Sequence, residues 1–225
     1  MIQKETFDFL LQLKENNHRD WFQKHKEDYQ SVHQNMIDFA AEVYHHLQLH
    51  DQVVDTTGKK ALHRIYRDVR FSKDKSPYKK NFSGSFKRAT AALRGGYYFH
   101  IEPGNTFLAG GFWGPNSADL KLIRSHIDAE PERLREIIED KGFVHQFDRL
   151  KGEQVKTAPK GYHRDHPAID LLRYKQFLLI QNFTDEQAQK ENFALRVATG
   201  FQHMRPFLDY MSEVLTTDLN GISLL

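Results

Sequence analysis

The chain has 225 residues and a mass of 26.5 kDa, with 39% hydrophobic and 28% charged residues and a mean hydropathy of -0.68. This balance is typical of a globular protein with a buried core, and it excludes collagen-like, low-complexity and membrane-spanning chains. There is no cysteine, which excludes disulfides, thiolate nucleophiles and cysteine-based metal sites. Lys4, Glu5 and Asp8 interrupt the apolar residues at the N-terminus, which is not a signal-peptide pattern, so we expect a cytoplasmic location.

The net charge of +2 conceals a strong asymmetry along the chain. Between residues 59 and 94, which we call the basic segment, twelve lysines and arginines are opposed only by Asp68 and Asp74. The basic segment therefore carries a net charge of +10 and the rest of the chain -8. Such a concentration of charge favours the attraction of an anion to one place, and a solvated basic surface is the alternative.

Helices are predicted before the basic segment. Apolar residues between Phe7 and Leu13 share one helical face, and Asn16 and Asn17 then interrupt the pattern. Asn17, followed by Asp20 three residues later, is typical of a helix N-cap. From Phe22 to Leu47 apolar residues recur every three or four positions, which predicts one long amphipathic helix or two.

Strands are predicted in the middle of the chain, where the hydrophobic period changes to two. Alternation begins at Leu62 and runs to Phe71, and it returns in residues 82–87, 97–102 and 106–113. A short apolar run at 177–183 is typical of a buried strand. These patterns predict an antiparallel sheet of about four to five strands in the middle of the chain.

Helical patterns follow the sheet. They return at Ser117, and Pro131 is predicted to open a further helix. A last helix spans 193–215, where Pro206 should kink or split it. No repeat and no linker divides the chain, so we predict a single α+β domain over residues 1–225, with helices at both ends.

The segment Arg64–Tyr78 supports the functional prediction. Alternation places Arg67 on an apolar strand face, and burial of a guanidinium is costly unless an anion compensates it. We therefore expect a carboxylate from a helix, or a ligand, beside Arg67. The opposite face presents Arg64 and Arg70 on either side of Asp68. Arginine has a planar fork of donors that suits phosphate or carboxylate.

These residue types predict a pocket for a phosphorylated or carboxylated ligand. The arginines would hold the anion, Lys75 would add a point charge, and Asp68 would orient the arginines or act as a base if its pKa were raised. An internal ion-pair network is the alternative, and we favour it for Arg67 alone. The predicted ligand-binding residues are Arg64, Arg67, Arg70, Lys75 and Lys160, and the candidate catalytic residues are Asp68, Tyr78 and His166.

Lys160 and His166 belong to a later loop, residues 160–167, that also contains His163 and Asp165. Loops held by a scaffold often bind ligands, so this loop would complete the same pocket with His163 or His166 as proton carrier. The alternative, which we favour, is a surface turn that leads into a helix beginning at Pro167.

The same segment resembles the signature of a mostly bacterial family, domain-of-unknown-function family 2461. That signature is an Arg-x-x-Arg-Asp-x-Arg-Phe run followed by Asp-Lys and a Tyr. The resemblance implies that the chain is one unit and that the marked residues belong together, and it brings no activity with it. The corresponding residues here are Arg64, Arg67, Asp68, Arg70, Phe71, Asp74, Lys75 and Tyr78, supported by Asn16-Asn17, Trp21-Phe22, Pro159–Tyr162 and His166-Pro167.

Three classes of function follow from these observations. The first is a protein that binds a small anionic molecule, with enzymatic activity left open. The second is a nucleic-acid-binding module that uses the basic segment as its electrostatic footprint. The third is a structural or interaction protein with an internal ion-pair network. Glu42, His46 and His50 share a helical face but lack the His-Glu-x-x-His pattern, so we predict no metal site. The sequence indicates no cofactor and no oligomeric state.

Overall fold

A computed structural model describes all 225 residues as a mixed α+β fold with one four-stranded antiparallel sheet. Helices occupy both ends of the chain and the sheet occupies the middle, which confirms the predicted fold class. The helices are α1 Lys4–Glu15, α2 Arg19–Lys24, α3 Lys26–Leu47, α4 Gly58–Ala61, α5 Ser117–Ala129, α6 Pro131–Ile138, α7 Lys141–Phe147, α8 Ile169–Leu172, α9 Asp185–Ala188, α10 Phe193–His203 and α11 Arg205–Val214. The strands are β1 Phe82–Lys87, β2 Gly96–Ile101, β3 Thr106–Phe112 and β4 Phe177–Phe183.

The helix boundaries follow local chemistry. The predicted break near Pro206 is confirmed, because α10 ends at His203 and α11 begins at Arg205. Proline lacks the N–H that a continuous helix needs, but it is tolerated in a first turn. The predicted N-cap at Asn17 is wrong: His18 caps α2, with its side chain accepting a hydrogen bond from the backbone N–H of Trp21.

The sheet has the strand order β1-β2-β3-β4. Apolar side chains of β1 and β2 alternate into the interior, as predicted, and Tyr97 and Phe99 are 2% and 1% exposed. Gly84 lies where a Cβ atom would stand 2.5 Å from the ring of Phe99, so only glycine fits there. The other side chains of these strands are polar and form the face on which the candidate site is built.

The stretch Leu62–Phe71, predicted as a strand, is not one. It makes only isolated bridges, from Leu62 to Gly84 and from Tyr66 to Tyr78. Beyond Tyr66 the chain folds into a tight loop, and Phe71 is 96% exposed instead of lying on an apolar face. Alternation of residue types favours a strand, but here turn-forming side chains beyond residue 67 override it.

The chain divides into two compact units. The first consists of Met1–Phe86, Tyr98–Leu108 and Asn182–Thr199, and the second of Lys87–Tyr97, Ala109–Gln181 and Gly200–Leu225. The single domain expected over residues 1–225 stays a prediction. None of the eleven helices combines the length and the apolar character that crossing a membrane requires.

Each unit has its own aromatic core. In the first unit, the ring of Phe39 packs edge-on against Phe99 at 5.4 Å and stacks on Phe193 at 5.5 Å. In the second unit, the rings of Tyr97 and Phe201 are 4.9 Å apart. Burial of such rings contributes strongly to stability.

Candidate functional site

Most of the predicted site lies in one folded segment of the first unit, residues 62–84, which we call the basic hairpin. The backbone N–H of Arg67 donates to the carbonyl of Pro77 at 2.9 Å, and that of Lys79 donates to Ile65 at 2.8 Å. These bonds hold residues 65–67 antiparallel to residues 77–79, with residues 68–76 as the tip loop. Six of the predicted residues are thereby brought into one local structure: Arg64, Arg67, Asp68, Arg70, Lys75 and Tyr78.

Asn17 fastens the basic hairpin to the N-terminal helices. Its side-chain carbonyl accepts from the backbone N–H of Tyr78 at 3.0 Å, and its amide nitrogen donates to the Tyr78 carbonyl at 3.0 Å. The ring of Tyr78 stacks on Phe22 at 4.0 Å and is 4% exposed. Burial, assisted by the neighbouring Tyr66, raises the pKa of Tyr78. The phenol therefore stays protonated at neutral pH, and its ring belongs to the packing of the first unit.

The anion expected beside Arg67 is a carboxylate of the tip loop itself. The Arg67 guanidinium donates to Asp74 at 2.5 Å and to both the carbonyl and the hydroxyl of Ser76. Ser76 in turn donates from its hydroxyl and its backbone N–H to Asp74. These bonds from Ser76, followed by that from Arg67, hold the pKa of Asp74 well below its usual range. Arg67 therefore holds the tip loop together by hydrogen bonds to Asp74 and Ser76.

The positive charge of Arg70 is also compensated by an acidic side chain of the protein. Its guanidinium donates to Asp68 at 2.6 Å, and both side chains are exposed. Hydrogen bonds from Arg70 lower the pKa of Asp68, which is the opposite of what a general base at neutral pH requires. The Lys75 ammonium donates to the carbonyl of Val69 at 3.0 Å and closes the loop from the other side.

Arg64, by contrast, forms no ion pair. On the first side of the hairpin, the two bridged residues Leu62 and Tyr66 are four positions apart in the sequence. On the second side, their partners Tyr78 and Gly84 are six positions apart, so this side bulges opposite Arg64. Lys79 is the last paired residue before this bulge and is half-buried. Burial, and then the like charge of Arg64, lower the pKa of Lys79. Such bulges re-aim side chains and are frequent beside functional sites.

His63 lies beside these cations and was not singled out by the sequence pattern. Its Nδ1 lies 3.2 Å from the hydroxyl of Ser83 and its Nε2 3.1 Å from that of Ser85, both on the polar face of β1. Burial, and then the charge of Lys79, lower the pKa of His63, so the imidazole is neutral at pH 7. One ring nitrogen then donates to a serine while the other accepts. The sequence feature that could have indicated this contact is the alternation of Ser83 and Ser85 with the apolar residues of β1.

A second polar chain runs along β2. The hydroxyl of Tyr98 lies 3.1 Å from Nδ1 of His100, and Nε2 of His100 lies 3.0 Å from Glu102. Burial pushes the pKa of Glu102 upward, but hydrogen bonds from Asn105 and His100 outweigh it and lower that pKa. The Tyr98 ring is 6.0 Å from the ring of His63. A carboxylate that orients an imidazole against a phenol can relay a proton.

The remaining predicted residues, Lys160 and His166, lie in the second unit. Lys160 is exposed and forms no ion pair. Nδ1 of His166 accepts from the backbone N–H of Ala168 at 3.1 Å, so Nε2 holds the proton and donates to Asp128 at 2.8 Å. Both ring nitrogens are thus engaged in the turn before α8, which begins at Ile169 and not at Pro167 as predicted.

The C-terminal end of the basic segment also belongs to the second unit. The buried guanidinium of Arg88 forms an ion pair with Asp209, and Arg94 lies 3.0 Å from Asp119. These two charges are therefore compensated by acids of the second unit. No group of three or more histidine, aspartate or glutamate side chains is close enough together to hold a metal ion.

Comparison with known proteins places the sequence in a family. The family model described as "Conserved hypothetical protein (DUF2461)" matches residues 5–210. The chain belongs to the DUF2461 family. This confirms the resemblance stated from the sequence, and the match includes the whole basic hairpin. Neither a curated protein nor a solved structure matches the chain.

Proposed function

We propose that the first unit binds a small anionic ligand, carrying a phosphate or a carboxylate, at Arg64 and Lys79. One observation supports this proposal above the others: Lys79 is half-buried beside Arg64, and neither side chain has a carboxylate partner. Arg67 and Arg70 differ, because Asp74 and Asp68 already neutralise them.

The energetics favour an anion at this position. Two neighbouring cations that form no ion pair with an acid destabilise each other, and burial of one of them adds a desolvation penalty. An oxyanion bound between them relieves both terms and gains hydrogen bonds to charged donors, which are stronger than neutral ones. Both ring nitrogens of His63 are engaged by Ser83 and Ser85, so its ring lies beside the two cations without adding a further positive charge. The exposed side of Arg64 leaves the ligand a route from solvent.

Calorimetric titration tests this proposal with inorganic pyrophosphate and citrate as probes. We expect wild type to bind at least one of them, and Arg64→Gln and Lys79→Gln to lose the affinity at least about tenfold, since each removes a charged contact. Arg70→Gln is the matched control, because it removes the same charge from the same hairpin at a paired position. Equal affinity in Arg64→Gln and Arg70→Gln would contradict the proposal.

The nucleic-acid alternative has one specific observation in its favour. Phe71 is 96% exposed at the tip of the basic hairpin, with the guanidinium of Arg70 5.9 Å from its ring centroid. An exposed ring among cations is the arrangement on which unpaired bases stack. Titration with a fluorescent single-stranded oligonucleotide tests it: binding should weaken steeply with salt and be lost in Phe71→Ala. If neither the small anions nor the oligonucleotide binds, the ion pairs of Arg67 and Arg70 favour the structural alternative.

A further inference from the structure

The second unit contains a basic cavity that the sequence pattern did not indicate. It has a volume of about 230 Å³ and is lined by Lys156, Thr157, Arg164, Ile169 and Arg173. Three of these five residues are basic and none is acidic. The volume is below the roughly 300–1,000 Å³ of pockets for drug-sized ligands, so the cavity suits a ligand with few atoms.

The three positive charges of the cavity are not compensated by the protein. Lys156, Arg164 and Arg173 form no ion pair, although the second unit contains several acids nearby in the sequence. Asp170 is bound by Arg135 at 2.7 Å. Asp165 follows Arg164 directly but does not pair with it or line the cavity. Cations gathered in a concave site without an acid attract an anion there.

The walls of the cavity are held in place before any ligand arrives. Arg173 donates from Nε to the carbonyl of Val155 at 2.8 Å, and the backbone N–H of Val155 donates to the carbonyl of Arg173 at 2.9 Å. This reciprocal pair keeps the terminal nitrogens of Arg173 available. The loop that carries Arg164 is anchored by the bond from His166 to Asp128. A site whose donors are ordered in advance loses less entropy on binding.

We propose that this cavity binds the phosphate group of a small phosphorylated molecule. Arg164, Arg173 and Lys156 hold the phosphate oxygens, because guanidinium groups match the geometry of phosphate and the three positive charges attract a doubly charged oxyanion. The hydroxyl of Thr157 donates a further hydrogen bond, and Ile169 provides an apolar wall for the organic part of the molecule. The site is independent of the one proposed in the first unit, since it shares no residue with it.

Calorimetric titrations at constant ionic strength and pH 7.5 test this inference with glycerol 3-phosphate, inorganic phosphate and succinate. We expect both phosphates to bind and succinate to bind at least about tenfold more weakly. Tighter binding of the ester identifies a phosphorylated metabolite as the ligand, and tighter binding of free phosphate identifies the inorganic ion. Succinate binding as tightly as the phosphates, or no heat from either phosphate in the millimolar range, would overturn the proposal.

Variants assign the binding to this cavity. Arg164→Gln and Lys156→Gln should each weaken phosphate binding at least about tenfold. Arg149→Gln removes the same charge from an exposed position of the second unit outside the cavity and should leave the affinity unchanged. Binding that survives in Arg64→Gln and disappears in Arg164→Gln belongs to this cavity, whatever the fate of the first site. If the Arg164→Gln and Arg149→Gln isotherms coincide, the cavity is not the binding site.

Discussion

Replacement of Asn17 by alanine tests whether one side chain fastens the basic hairpin to the N-terminal helices. The change removes two neutral hydrogen bonds of 3.0 Å, and it leaves the N–H and the carbonyl of buried Tyr78 without partners. Each such bond contributes about 0.5–1.5 kcal/mol, so we expect a loss of about 2 kcal/mol in the free energy of unfolding. For a chain of this size that corresponds to about 4–8 °C in melting temperature.

Adjacent residues provide the controls for this experiment. Asn16→Ala loses only one exposed hydrogen bond, from its amide to the carbonyl of Gln12, and should cost less than about 1 kcal/mol. Asn17→Asp still accepts from Tyr78 but cannot donate to its carbonyl, so it should not restore wild-type stability. Urea denaturation followed by far-UV circular dichroism measures all three variants. Equal losses in Asn16→Ala and Asn17→Ala would refute the reasoning.

Two further predictions concern the tip loop of the basic hairpin. Arg67→Ala should lower the melting temperature by several degrees, because Arg67 binds both Asp74 and Ser76 within the loop. Arg70→Ala should lower it by less than about 2 °C, because Arg70 forms only an exposed ion pair. Equal melting curves for the two variants would reject this difference. The folded-state pKa of Asp74 is depressed, so its stabilising contribution is present above the unfolded pKa of about 4 and is lost as the pH falls through the lower folded value. The stability difference between wild type and Asp74→Asn, measured by urea denaturation from pH 7 to pH 2, should therefore shrink below pH 4, and a constant difference would contradict the pKa shift.

Most of the helices and strands could be predicted from the sequence because hydrophobic periodicity is local, whereas the predicted strand over Leu62–Phe71 and the predicted N-cap at Asn17 were wrong. The strands at 82–87 and 177–183 and the break near Pro206 all follow from residues within a few positions of each element. The concentration of positive charge in residues 59–94 is likewise a property of composition alone. These features depend on neighbours in the chain, so no knowledge of the fold was needed to find them.

The tertiary structure decided which of those positive charges are free. Alternation places Arg64 and Arg70 on the same strand face as Asp68, but Asp68 forms an ion pair only with Arg70, while Arg64 lies opposite the bulge that follows Lys79. His63 enters the site through serines twenty and more residues away. The cavity around Arg164 gathers residues 156–157, residue 164 and both ends of α8. Pairing of charges depends on distances in space, and a linear sequence does not contain those distances.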